Sequence, residues 1–90
     1  MRYTEAVGIR LNELLKTVHV TQTQFAKQCN VSRMTVNGII KGRANIVTLE
    51  ILLMICGALH ITLREFFNAE IFETDFEREN KKKGRLIATK

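Results

Sequence analysis

Ninety residues with a formal charge of +5 and 46% apolar side chains suffice for one small hydrophobic core. The longest nearly uncharged apolar run, residues 49–59, is too short to cross a bilayer, and the N-terminus lacks the basic-then-apolar order of an export signal. With only two cysteines, Cys29 and Cys56, both inside helical patterns, the composition excludes a disulfide scaffold and points to a soluble domain of a reducing cytoplasm.

Strand signals are weak, because no apolar–polar alternation is sustained and no Asn-Gly or Asp-Gly turn occurs. Helical spacing recurs instead. Val7, Leu11, Leu14 and Val18 follow i, i+4, i+7, i+11 and predict a first helix over residues 4–17. Thr21 with Gln24 three residues on has the form of a capping box, opening a short second helix that carries Phe25 and Ala26 inward. Asn30 follows where a left-handed residue ends such a helix, a conformation Asn tolerates better than most.

Ser32 is placed to cap a third helix with Val36, Ile39 and Ile40 on its apolar side and Gly42 as its stop. Thr48 caps a fourth, in which Leu49, Leu52, Leu53, Cys56 and Leu59 are expected to face the core. Thr62 and Glu65 form another capping box for a short fifth helix with Leu63, Phe66 and Phe67. The domain is expected over residues 1–70. Residues 71–90 read as an extension, partly disordered or dimer-forming, since the sequence turns strongly charged after Phe76.

Charge is distributed unevenly. Between Glu13 and Glu50 there is no acidic residue, while Lys16, Lys27, Arg33, Lys41 and Arg43 fall in the same stretch. Such a segment can set a positive face against a polyanion, and nucleic acid is the commonest one. Residues 22–41 give it a shape: a second helix, a three-residue turn bent at Asn30, and a third helix crossing it. Ala26 marks the close approach of the two helices, and Val31, Val36 and Ile39 fill the wedge behind. Arg33, Met34, Asn37 and Gly38 are left on the outer face. There Arg suits guanine, Asn suits adenine, and Met suits either a thymine methyl or a gap against the second helix.

The pattern Thr21-Gln22, Ala26, Asn30-Val31-Ser32, Val36, Ile39, Gly42, Leu49-Glu50, Leu52-Leu53, Ala58-Leu59, Thr62-Leu63 and Glu65-Phe66-Phe67 resembles the Cro/XRE-type helix-turn-helix of phage and bacterial repressors. The resemblance covers residues 7–68. It implies an all-α, compact five-helix repressor-like domain that binds double-stranded DNA, with Arg33, Met34 and Asn37 reading bases. By the same resemblance Thr21, Gln22, Thr23, Thr35, Lys41 and Arg43 contact phosphate.

Three departures from that family pattern stand out. Asn30 replaces the usual turn glycine. Leu15 and Ile40 occupy the positions of a common Arg–Glu pair, so an apolar contact is expected there. Ile51, Met54 and Gly57 stand where the fourth helix is often polar, and Gly38 shortens the reading surface.

No catalytic, cofactor or metal site is expected. Cys29, Cys56, His19 and His60 do not supply the two closely spaced pairs of a zinc site, the only serine is needed as a cap, and no Gly-rich phosphate loop exists. The sequence therefore predicts a regulator, a repressor acting as a homodimer on a pseudo-palindromic operator. Ile51, Met54, Ile71, Phe72 and Phe76 are its expected dimer or partner surface. The rival expectation is an antitoxin-like interaction module that masks a partner protein, with DNA binding secondary.

Overall fold

The computed structural model describes residues 1–43 and 47–73. Five helices succeed one another: α1 (Tyr3–Thr17), α2 (Gln22–Cys29), α3 (Arg33–Ile40), α4 (Leu49–Leu59) and α5 (Leu63–Phe67). A 3₁₀ turn, Glu70–Glu73, follows. No strand occurs among the described residues.

The helix starts are written in the sequence. Thr21 Oγ1 accepts the Gln24 backbone N–H at 3.1 Å, and Gln24 Oε1 accepts that of Thr21 at 2.9 Å. Thr62 and Glu65 repeat the exchange at 3.0 and 2.8 Å. Ser32 and Thr48 cap α3 and α4 by accepting the N–H of Thr35 and Ile51. Each cap satisfies a backbone donor that the helix cannot, typically worth ~1 kcal/mol.

The helix stops follow one rule that the sequence discloses only in part. After α1, α2, α3 and α4 the chain passes through a left-handed residue, respectively His19, Asn30, Gly42 and His60, with φ between 58° and 79°. The next amide then reaches back to a carbonyl five residues earlier: Val20 to Leu15, Val31 to Ala26, Arg43 to Gly38, Ile61 to Cys56, at 3.0–3.1 Å. This is the Schellman arrangement. Val20, Val31 and Ile61 pack their side chains against the core just after the stop, which fixes the angle into the next segment.

The core gathers Val7, Leu11 and Leu15 of α1, Phe25 and Ala26 of α2, Val36 and Ile39 of α3, Val47, Ile55 and Cys56, and Phe66 of α5. The stripe of α1 therefore runs i, i+4, i+8 through Leu15. Val18, expected to continue it, is 49% exposed because the helix has ended at Thr17. Leu14 lies partly buried against the core.

The phase of α4 also differs from expectation. Leu49 and Leu53, expected inside, are 64% and 51% exposed, whereas Ile51 and Met54, expected outside, are partly buried against the core. The helix is apolar on nearly every side, so no polar face betrays its orientation; Ile55 and Cys56 define the inward side.

Two polar side chains lock the packing. Arg10 donates from Nε to the Phe66 carbonyl at 2.7 Å and from a terminal nitrogen to that of Glu65 at 2.8 Å. It thereby places a cation at the C-terminal end of α5, the end of a helix that favours one. Gln28 Nε2 donates to the Ala58 carbonyl at 2.8 Å and ties α2 to α4.

Gly8 brings α1 against the end of α3. A Cβ there would lie under 3.0 Å from the carbonyl oxygens of both Ile39 and Ile40. Leu15 is buried in the core and Ile40 lies partly buried against it, but the direct approach of α1 to the end of α3 is through Gly8.

Candidate nucleic-acid interface

The surface that can meet a polyanion is built by two helix starts and one outward helix face. Helices α1, α4 and α5 carry a carboxylate in their first turn: Glu5, Glu50 and Glu65. Helices α2 and α3 carry none. A helix N-terminus bears about half a positive charge together with amides lacking a partner in the helix. In α2 and α3 no first-turn carboxylate offsets that charge.

The Schellman turn at Asn30 sets α3 across α2, and α3 packs against both α1 and α2. Val36, Gly38 and Ile39 take its inner side. Gly38, expected on the outer face, is buried; its carbonyl accepts the Arg43 N–H that closes the helix. Arg33 and Met34 are exposed at the first two positions of α3, and Met34, at 75%, is the most exposed large apolar side chain among the described residues. That exposure removes the reading of Met34 as a filler against α2. Asn37 is half-buried one turn on, and Lys41 is exposed at the end. Arg33, Asn37 and Lys41 are four residues apart and so share a side, with Met34 beside them.

The phosphate candidates fall into two groups. Thr21, Gln22 and Thr23 open α2. Thr21 and Thr23 are exposed, and Gln22 is half-buried with its Oε1 shielded and without a hydrogen-bond partner. Lys41 and Arg43 stand exposed where α3 ends, and neither has a carboxylate partner among the described residues. Thr35 lies on the first turn of α3, with its hydroxyl 3.0 Å from Ser32 Oγ, so it braces the cap of that helix.

The eight residues of α3 span about 12 Å, the width of a B-DNA major groove. The arrangement can insert α3 while the start of α2 faces the flanking backbone. No group of three or more metal-ligating side chains occurs among the described residues. Cys29 and Cys56 are free, and burial pushes both thiols up, with Glu65 adding to the rise at Cys56. No helix among the described residues is long and apolar enough to cross a membrane.

The expected dimer or partner residues scatter. Ile51 and Met54 lean on the core. Phe72 packs its ring 4.7 Å from that of Phe67 and 6.0 Å from that of Phe66, and Ile71 is half-buried beside it. Phe76 lies outside the described residues. The open apolar face of α4 is Leu49 and Leu53; on the same helix, a Cβ added at Gly57 would meet nothing within 4 Å. Sequence reasoning missed Gly8, which sets α1 against α3, Gln28, which ties α2 to α4, and Arg10, which ties α1 to α5. Only Gly8, interrupting the apolar face of α1, leaves a trace in the sequence.

A family model for the Cro/C1-type HTH DNA-binding domain matches residues 10–70. The crystal structure of prophage Lp1 protein 11 is similar to this chain, with a TM-score of 0.70 and 26% identity over 83% of this chain and 100% of that one. No curated protein sequence matches.

Proposed function

This chain belongs to the Cro/C1-type helix-turn-helix DNA-binding family, and from that premise we propose that it is a cytoplasmic transcriptional repressor that binds a pseudo-palindromic operator as a homodimer. The observation that carries the reading is the pair of helix starts, α2 and α3, that lack a first-turn carboxylate, combined with Arg33 and Met34 standing exposed at the front of α3. The side chains of Thr21, Gln22 and Thr23 and the backbone amides of Gln22 and Thr23 hold the phosphates of one strand, the Gln22 side chain through its amide N–H groups. Thr35, Lys41 and Arg43 meet the backbone beside α3. Arg33, Met34 and Asn37 read base edges between them.

One α3 with three reaching side chains specifies only a few base pairs. Two copies double the readout and require half-sites about 10 bp apart, centre to centre. Leu49 and Leu53 are the surface of α4 best suited to the second copy, because they are apolar, exposed and one turn apart.

The test is selection of bound sequences from a random duplex pool, followed by footprinting of the best site. Two inverted half-sites one helical turn apart support the repressor-dimer reading. A single unrepeated half-site, with a monomer in sedimentation at tens of micromolar, contradicts the dimer. Failure to enrich any sequence contradicts sequence-specific binding.

A further inference from the structure

Met34 is the large apolar side chain on the exposed side of α3. It is 75% exposed, and the residues around it on that face, Arg33, Asn37 and Lys41, are polar. A thioether offers no donor and only a weak acceptor. Set against a base nitrogen or oxygen, it displaces water and returns no hydrogen bond. The major groove presents a single apolar feature to such a side chain, the methyl group on C5 of a pyrimidine. Thymine carries that methyl by nature, and cytosine carries it when methylated.

Resting on the DNA-binding reading above, we propose that Met34 reads the pyrimidine C5-methyl itself, which makes operator affinity respond to cytosine methylation. Its place beside Arg33 sets the methyl next to the base that Arg33 reads. The thioether is unbranched and adaptable, so it can follow the methyl whether the ring beneath is thymine or 5-methylcytosine. Binding then distinguishes thymine from uracil, and 5-methylcytosine from cytosine, by the same factor. Burial of one methyl group corresponds to about fourfold in affinity.

The experiment uses the full chain and the best duplex from the pool selection. Each thymine is replaced singly by uracil, and the position that responds is then filled with cytosine or 5-methylcytosine. The expected result is one responsive position per half-site, with about fourfold weaker binding for uracil and a matching gain when cytosine there is methylated. Met34→Ala should bind uracil and thymine duplexes equally, and Met34→Leu should keep the discrimination. Exposure of Met34 means that both variants should melt near the parent temperature by circular dichroism. Equal binding of every uracil duplex, or unchanged discrimination in Met34→Ala, overturns the proposal while leaving DNA binding intact. A pool that yields no bound sequence overturns the DNA-binding reading and this proposal with it.

Discussion

Replacing Gly8 by Ala sets two effects of opposite sign against each other. Within a helix, Ala is favoured over Gly by about 1 kcal/mol, and Gly8 lies inside α1. Helix propensity alone therefore predicts stabilisation. The packing says otherwise, because the added methyl would sit under 3.0 Å from the carbonyl oxygens of Ile39 and Ile40. Those are backbone atoms at the end of α3 and cannot swing aside as a flexible side chain would. Relief requires α1 and α3 to part, which loosens the contacts among Leu11, Val36 and Ile39, all fully buried. Overpacking of this kind costs about 1–3 kcal/mol, and loss of fit in a close-packed core adds to it. The net change is a destabilisation of about 1–2 kcal/mol, or roughly 5–15 °C in melting temperature for a domain of this size. Gly57→Ala is the control. That glycine is also inside a helix, but nothing lies within 4 Å of the new methyl, so only the propensity gain of about 1 kcal/mol remains. Thermal unfolding followed by circular dichroism at low micromolar concentration should lower the midpoint for Gly8→Ala and raise it for Gly57→Ala. A rise for both would refute the close approach of α1 to α3.

Arg10→Met keeps the apolar stem but removes the donors to the Glu65 and Phe66 carbonyls; it should cost about 1–2 kcal/mol in chemical denaturation, and Arg10→Lys should recover little of it because an ammonium lacks the planar fork. His19→Gly and His60→Gly should each stabilise by about 0.5–1 kcal/mol, since φ near +60° strains an ordinary residue, whereas Asn30→Gly should gain less because Asn tolerates that conformation. Leu53→Asp, at a 51% exposed position, should leave monomer stability within about 0.5 kcal/mol while lowering dimer affinity at least tenfold in sedimentation; an unchanged dimer would remove the open face of α4 from the interface.

Helix starts were legible because capping is local: Thr21 with Gln24, Ser32, Thr48, and Thr62 with Glu65 each act within three residues. Helix stops were legible at Asn30 and Gly42, which prefer the left-handed region, and illegible at His19 and His60, which do not. There the packing of Val20 and Ile61 against the core drives the turn, and packing partners far along the chain leave no local mark. The same reason hides Arg10 and Gln28, whose acceptors lie 55–56 and 30 residues away.

Within the site, exposure of Arg33 and Met34 followed from the cap at Ser32 and the apolar positions Val36 and Ile39. The burial of Gly38 did not, since glycine has no side chain to report which way it faces. The orientation of α4 was illegible for a related cause: a helix apolar on all sides carries no directional signal, and only its contacts with α2 and α5 decide that Leu49 and Leu53 face outward.

The central claim, that α3 reads sequence while its flanks hold phosphate, is tested most directly by comparing Arg33→Ala and Lys41→Ala on the selected operator and on a scrambled duplex across a range of salt. Arg33→Ala should lose about 1–3 kcal/mol on the operator, and little on the scrambled duplex, with one base position relaxed. Lys41→Ala should weaken both duplexes alike and flatten the salt dependence by about one phosphate contact. Equal losses on the two duplexes for Arg33→Ala would contradict that division of roles.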